Sequence, residues 1–256
     1  MVATPRSILI TGASSGVGAA LASLYAGPGV FLALTGRDSG RLAATEADCV
    51  AKGAEATTSA LDVTDRPGLR GWIERIDDAH PIDLVVANAG MMGPGLGEDA
   101  MRRIFEVNVH GVFNTVMPLL PRFQQRHSGQ VAILSSLAGF RGMPGAPAYA
   151  ASKAAVKLWG ESLRPQMLPQ GVHVSVICPG FIDSPMTAKN TFVMPWIVSA
   201  EDAAATIKRG LGQDKARIAF PWPMYALIWA AAALPPKLGD ELIFWRRFAR
   251  KRPAKI

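Results

Sequence analysis

Apolar and β-branched residues gather in short runs along this chain, at residues 7–11, 30–35, 56–61, 84–87, 131–135, 172–178 and 217–220, and most of these runs do not alternate with polar residues. Unbroken apolar runs of this length suit strands covered on both faces of a parallel sheet. Between them the spacing turns helical, as in residues 17–25, 41–52 and 150–168. Strands alternating with helices predict an α/β fold, a doubly wound parallel sheet of seven strands joined by right-handed crossovers. No repeat, low-complexity stretch or linker breaks the pattern. Residues 1–220 are therefore expected to form one domain, and residues 221–256 an apolar and basic C-terminal extension.

That extension changes the picture in two ways. Residues 218–234 are uncharged but contain Pro221 and Pro223, and this is short of the ~20 apolar residues that span a bilayer. Beyond Pro235-Pro236, Leu238, Leu242, Trp245 and Phe248 recur at helical spacing, with Arg246, Arg247, Arg250 and Lys251 in other positions. A helix of this kind suits a membrane interface; it equally suits packing on its own domain or on a partner subunit. An apolar extension of this length is expected to be covered by one of them.

Composition adds limits. A chain of 256 residues, 49% hydrophobic and 18% charged, can bury a full core. Cys49 and Cys178 supply neither a disulfide framework nor metal-ligand spacing, which favours a reducing, cytoplasmic setting and no metal. The run Ile8-Leu9-Ile10 is too short for a secretory signal and leads into a glycine loop. From Pro235 onward seven basic residues face two acidic ones, so this tail carries +5 of the net +7. Basicity confined to a tail argues against nucleic acid as a partner.

The candidate chemistry begins where the first strand ends. Residues 11–18 read Thr-Gly-Ala-Ser-Ser-Gly-Val-Gly. Glycines between a strand and a helix allow a tight turn and a close approach to a pyrophosphate, which meets the helix N-terminus. Gly12, Ser14, Ser15, Gly16, Val17 and Gly18 are thus candidates to hold a dinucleotide; a plain glycine-rich turn is the alternative. The second strand runs into Thr35-Gly36-Arg37-Asp38. Arg37 can fork onto a 2′-phosphate, Asp38 can accept from a 2′-hydroxyl, and the strand end where an acid is usual is Gly36. This favours NADP over NAD. Asp62 and Val63 follow the third strand and can reach an adenine, with Asp62 as a helix cap the alternative. Asn88-Ala89-Gly90 follows the fourth strand, at the sheet edge where ligands bind.

In Tyr149-Ala150-Ala151-Ser152-Lys153 a phenol and an ammonium share one helix face, and Ser136 lies thirteen residues upstream. Hydride transfer to or from a carbonyl carbon needs a partner that gives or takes a proton at oxygen. A free phenol, with a pKa of ~10, is a poor base at neutral pH. An ammonium about 4 Å away at an effective dielectric of about 20 contributes roughly 4 kcal/mol, enough to bring the phenol near neutrality. Tyr149 then serves as acid/base, Lys153 tunes it and holds a ribose, and Ser136 orients the carbonyl. Taken singly, these residues would be a surface pair and a strand-end cap; together with a dinucleotide seat they are a catalytic set.

The motifs in residues 11–18, Asn88-Ala89-Gly90, Asn108, Ser136, Tyr149 with Lys153, and Pro179-Gly180 fall in the order of the short-chain dehydrogenases/reductases, and the chain resembles the short, single-domain branch of that superfamily over roughly residues 6–215. The resemblance implies a Rossmann-type fold and an NAD(P)-dependent oxidoreductase. It selects Ser136 over Ser135, makes Asn108 the fourth catalytic member holding a water next to the lysine, lays Pro179-Gly180 along the nicotinamide, and gives its carboxamide to Ile182 and to Ser184, where the family has threonine. It also implies a homo-oligomer, a dimer or tetramer. The stretch between Asn88 and Asn108 is shorter than usual for the family, which alters one wall of the cleft. Met91, Met92, Phe140, Met143, Phe181, Met186, Phe192 and Trp196 are expected to line an apolar pocket for a hydrophobic ketone, aldehyde or secondary alcohol. A sugar-nucleotide epimerase of the extended branch would need a larger C-terminal domain; a non-catalytic dinucleotide sensor or membrane-surface scaffold would not need the Ser-Tyr-Lys set.

Overall fold

The computed structural model describes residues 4–93, 97–143, 145–190 and 193–241. Strands β1 (Ser7–Thr11), β2 (Phe31–Gly36), β3 (Glu55–Ala60), β4 (Leu84–Ala87), β5 (Gly129–Leu134), β6 (Val172–Pro179) and β7 (Arg217–Phe220) form one sheet in the order β3-β2-β1-β4-β5-β6-β7. Every neighbouring pair is parallel. The strand order reverses direction between β1 and β4, so the C-terminal ends of these two strands open the crevice where ligands bind in such sheets.

The apolar runs are explained by burial on both faces. Ile8, Ile10, Leu32, Leu34, Leu84 and Val86 point into one core, against Leu21 of α1 (Gly16–Tyr25), Leu42 and Cys49 of α2 (Ser39–Ala51) and Ile207 of α8 (Ala200–Gly212). Leu9, Ala33, Val85, Val131 and Ile133 point the other way, against α3 (Arg66–Ala79), α5 (Gly111–Val116) and α7 (Pro147–Met167). The period-two alternation of side chains thus serves two cores rather than a core and solvent. The edge strand β3 departs from the pattern: Glu55, Thr57, Thr58 and Ser59 are exposed or half-buried.

Four of the seven expected strands shift at their limits, two of them for visible local reasons. Val30 closes a turn by donating its N–H to the Gly27 carbonyl at 3.2 Å, so β2 starts at Phe31. Gly129 and Gln130 pair with Val172 and His173, so β5 begins before Val131. Between β4 and β5 lie α4 (Glu98–Phe105), a π-helical segment Glu106–His110, α5 and α6 (Leu120–Arg126). A π segment inside a helix displaces its side chains from the regular register and is commonly found at functional positions.

The first part of the C-terminal extension shares a core with the sheet. Helix α9 (Trp222–Ala233) places Met224 and Ile228 against Leu137, Val176 and Cys178. The predicted amphipathic positions Leu242, Arg246, Arg247, Phe248, Arg250 and Lys251, with Trp245, lie outside the described residues.

Candidate active site

The glycine turn is fixed by how closely two strand ends approach. Gly12 has φ +68°, and a Cβ there would stand 2.8 Å from Asn88 Nδ2; a Cβ on Gly18 would stand 2.3 Å from the Gly12 carbonyl oxygen. Only glycine fits either position. The turn is stitched to the end of β4: Asn88 Nδ2 donates to the Thr11 and Gly12 carbonyls at 2.9 and 3.2 Å, and Thr11 Oγ1 accepts the N–H groups of Asn88 and Ala89, each at 3.2 Å. Asn88 therefore closes the β1–β4 junction whatever else it binds. Helix α1 starts next to this cradle, and no side chain caps its N-terminus at Ser15. A Cβ on Gly16 would meet Ser184 Cβ at 3.3 Å, so the loop after β6 lies against the turn. A surface hollow of about 650 Å³ lies between α1 and α2 and reaches the loop after β6, lined by Ser14, Ser23, Thr45, Asp48, Lys52 and Ser184; it does not include the strand ends at Gly12, Asn88 or Gly90. Narrow turn, open helix end and facing loop fit an elongated dinucleotide.

At the end of β2, Arg37 is exposed, and among the described residues no ion pair holds it. Asp38 is committed elsewhere. Its carboxylate caps α2 by accepting the Arg41 N–H at 3.0 Å and pairs with Arg41 Nε at 2.7 Å, and these contacts hold it below the usual carboxylate range. Gly36 lies against Ser14, whose Oγ would be 3.0 Å from a Cβ at position 36. Asp62 does not cap α3, which is capped by Asp65. Asp62 instead accepts from Thr64 and from Arg103 Nη2 at 2.6 Å; burial opposes its ionisation, but these hydrogen bonds prevail and lower its pKa. Val63 is buried, and its carbonyl accepts from Asn114 at 2.9 Å.

The predicted catalytic residues meet at the same sheet edge. Ser136, just past β5, donates to the Pro179 carbonyl at 3.3 Å and accepts the Ala138 N–H at 3.1 Å. Ser135 binds the Lys153 carbonyl at 2.7 Å, a structural bond within the core. Tyr149 is half-buried in the first turn of α7. Burial pushes its phenol above the ordinary value, and a hydrogen bond with Ser136 works in the opposite direction. Lys153 is buried; its Nζ donates to the Leu134 carbonyl at 2.8 Å and lies 5.9 Å from the centre of the Tyr149 ring. Burial lowers its pKa to about 8. Lys153 and Tyr149 are thus brought together as a pair, and desolvation opposes the charged form of both groups.

Asn108 sits in the π segment, fully buried. Its Nδ2 donates to the Met91 carbonyl at 2.9 Å and to Ser152 Oγ at 3.0 Å, and its Oδ1 accepts the Met91 N–H at 2.8 Å. A Cβ on Gly90 would stand 3.3 Å from Lys153 Nζ and 3.4 Å from Asn108 Oδ1, so both polar ends face the Gly90 backbone.

Residues 6–192 match the family described as short chain dehydrogenase. The chain belongs to that family. An uncharacterized oxidoreductase of Myxococcus xanthus is 38% identical to this short-chain dehydrogenase, over 92% of this chain and 95% of the relative. A 1-deoxy-11-beta-hydroxypentalenate dehydrogenase of Streptomyces exfoliatus is 34% identical, with 92% and 93% covered. A solved short chain dehydrogenase from Mycobacterium paratuberculosis bound to NAD superposes with a TM-score of 0.75 at 25% identity, covering 84% of this chain and 94% of that one. The fold is also that of a Sphingobium yanoikuyae short-chain dehydrogenase in complex with NADPH, with a TM-score of 0.76 at 24% identity and 98% of each chain covered. The short-chain dehydrogenase is thus an NAD(P)-dependent oxidoreductase with a Rossmann-type sheet.

Several residues escape a reading by sequence. Ser152 passes a hydrogen bond from Asn108 to the Tyr149 carbonyl, at 2.8 Å; its place one turn from Tyr149 on the same face was the available signal. Thr187 holds the loop after β6 by donating to the Ile182 carbonyl and bonding Ser184 Oγ at 3.1 Å. Phe140 and Phe181 are partly buried and pack against the third core beside Met224. Met186 and Trp196 are exposed; Phe192 and residues 94–96 of the short β4–α4 stretch lie outside the described residues.

Arg141, five positions past Ser136, ties the cleft loop to the C-terminal extension. Its guanidinium donates to the Ala231 carbonyl at 3.0 Å, the Pro236 carbonyl at 2.6 Å and Asp240 Oδ1 at 2.9 Å. Charge-assisted bonds of this kind contribute about 1.5–3 kcal/mol each when partly buried. Arg141→Ala is expected to raise the KM for substrate at least several-fold with kcat little changed, Arg141→Lys to recover part of it, and steady-state kinetics to show the split. A kcat loss equal to the loss in kcat/KM would mean that Arg141 acts in the chemical step instead.

Proposed function

We propose that this chain transfers a hydride between NADP and an apolar ketone, aldehyde or secondary alcohol, with Tyr149 carrying the proton. The observation that carries the reading is the convergence of Ser136, Tyr149 and Lys153 on the Gly90 edge of a glycine cradle. When bound there, the nicotinamide supplies the hydride for reduction or accepts it in oxidation. In the reductive direction Ser136 Oγ hydrogen-bonds the carbonyl oxygen, and the Tyr149 O–H gives its proton to that oxygen as the alcohol forms. Burial raises the phenol's pKa, so the proton is in place at neutral pH but is held more tightly than on a free tyrosine. Lys153 holds the ribose hydroxyls and returns positive charge to the phenolate left behind, while Asn108 and Ser152 fix the backbone around Met91 and Tyr149.

The coenzyme list comprises Gly12, Ser14, Ser15, Gly16, Val17 and Gly18 for the pyrophosphate, Arg37 for a 2′-phosphate, and Asp62 and Val63 for the adenine. Asn88, Ala89, Gly90, Tyr149, Lys153, Pro179, Gly180, Ile182 and Ser184 complete it around the nicotinamide and its ribose. NADP is favoured because Arg37 is exposed with no ion pair among the described residues, Asp38 is engaged with Arg41, and Gly36 offers no carboxylate. Arg37→Ala is expected to weaken NADPH by roughly 10- to 100-fold, the value of one charge-assisted contact, and NADH far less. Fluorescence titration with both coenzymes reads this, and equal weakening would count against the phosphate assignment.

An apolar substrate is supported by Met91, which Asn108 holds beside the site, and by similarity to a relative named for dehydrogenation of a hydroxypentalenate. We assign the chemistry to residues 1–220, with residues 221–256 as an arm, and a homo-oligomer built on the outer faces of α4 and α7, where Met101 and Leu158 are exposed. The setting we assign is the cytoplasm; among the described residues no helix is long and apolar enough to cross a membrane. The overall test is a screen of lipophilic carbonyl compounds with NADPH and NADH. Coenzyme oxidation with none of them, together with no coenzyme binding, would overturn the reading.

A further inference from the structure

Helix α9 is apolar on all sides, and its two sides have different fates. Met224, Ile228 and Ala231 are sealed into the third core. The opposite side presents Trp222, 71% exposed, and Trp229, 57% exposed, two turns apart and therefore on one face. Past the helix, Leu234, 39% exposed, and Leu238, 51% exposed, are also open to solvent. From Ile218 to Pro236 the sequence has no charged residue. Water-soluble surfaces rarely leave a contiguous aromatic and aliphatic strip bare.

The strip is held rigidly. Arg141 bonds the carbonyls of Ala231 and Pro236 and pairs with Asp240. That pairing neutralises one of the two acids in the extension. After Glu241 the sequence holds Arg246, Arg247, Arg250, Lys251, Arg252 and Lys255 with no acid, interleaved with Phe244, Trp245 and Phe248. An exposed tryptophan face therefore leads directly into a six-cation stretch.

We propose that this face of α9 rests on an anionic lipid surface, with the basic C-terminal stretch supplying the attraction to lipid headgroups. Tryptophan suits the depth at which an apolar ring and a polar N–H are both satisfied. The six cations that follow in the sequence add an attraction to anionic headgroups that an uncharged bilayer does not offer. The uncharged stretch is broken by prolines and is too short to span, so the chain lies on the surface. A second copy is the poorer occupant: it carries the same six cations and no matching excess of acid in its own extension. This inference goes beyond the hydride chemistry and does not depend on it.

Flotation of the full chain with vesicles of phosphatidylcholine alone and of mixed phosphatidylcholine and phosphatidylserine tests it. The parent is expected to float at least about tenfold better with the mixed vesicles, and to lose that preference as salt screens the charges. The double variant Trp222→Ser with Trp229→Ser is expected to lose most of its flotation while keeping the parent's NADPH affinity in solution, which reports that it is folded. If the pair disturbs folding, the two single variants give the same comparison. Failure of the parent to float with either vesicle overturns the proposal. So does a double variant that floats as well as the parent, because the tail alone would then be responsible. Light scattering that shows the double variant as a smaller assembly, with no flotation of the parent, would assign the face to a second copy instead.

Discussion

Tyr149→Phe is expected to lower kcat for carbonyl reduction by about 10²- to 10⁴-fold, the contribution of a positioned proton donor, with coenzyme affinity within a few-fold of the parent. The substitution removes only the hydroxyl. The ring keeps its place 5.9 Å from Lys153 Nζ, and loss of a desolvated O–H leaves the melting temperature unchanged or slightly higher. Turnover at saturating substrate, fluorescence titration with NADPH and thermal unfolding separate the three effects. Undiminished turnover would remove the phenol from the mechanism. The pH profile adds a second check. Because burial raises the phenol, Tyr149 stays protonated through neutral pH; because burial lowers Lys153 to about 8, the lysine is the first of the pair to lose its proton. The value of kcat/KM for reduction is therefore expected to fall as pH rises past about 8, with Lys153→Met abolishing that break.

Asp77→Ala is expected to destabilise the fold by about 3–5 kcal/mol, the cost of breaking a buried ion pair, which lowers the melting temperature by ~10 °C for a chain of this size. The Asp77 side chain is fully buried at the end of α3. It accepts the Ile82 N–H at 2.8 Å and bonds Arg126 at 2.8 and 2.9 Å and Arg122 at 3.0 Å, which join α3 to α6 beneath β4. Burial opposes its ionisation, yet these partners hold its pKa below the ordinary carboxylate value. Stability from a lowered carboxylate is present above the unfolded value of ~3.9 and is lost as pH falls through the folded one. The gap between parent and Asp77→Asn is thus expected to be widest near neutrality and to close in strong acid. A gap that stays constant down to acid pH would mean that packing, rather than charge, is what Asp77 contributes.

Much of the architecture is legible in the sequence because apolar runs covered on both faces leave an unmistakable pattern. Residues 7–11, 84–87 and 217–220 become strands with unchanged limits. Where an edge strand exposes its polar residues, as in β3, or a turn bond delays the ladder, as at Val30, the limits move. The site is legible as a set of spacings, and the structure gathers those residues at one sheet edge. What spacing cannot reveal is competition for each side chain. Asp38 is drawn off by Arg41, and Asp62 shares its carboxylate with Arg103. Phe140 and Phe181 are claimed by the core beneath α9. The geometry of Lys153 over the Tyr149 ring follows from burial on α7, which a one-turn separation in sequence does not specify. Arg141 had no signal at all, since its partners lie ninety or more positions away.

The contact between Gly36 and Ser14 bears on engineering. A designer wishing to switch the coenzyme would put an acid at the end of β2, but the first atom of its side chain would stand 3.0 Å from the Ser14 hydroxyl. The two positions are coupled: a side chain at 36 requires Ser14 to give way by a few tenths of an ångström, and Ser14 belongs to the phosphate turn. A swap at one locus would shift that seat as it changes selectivity, so libraries should vary both codons together.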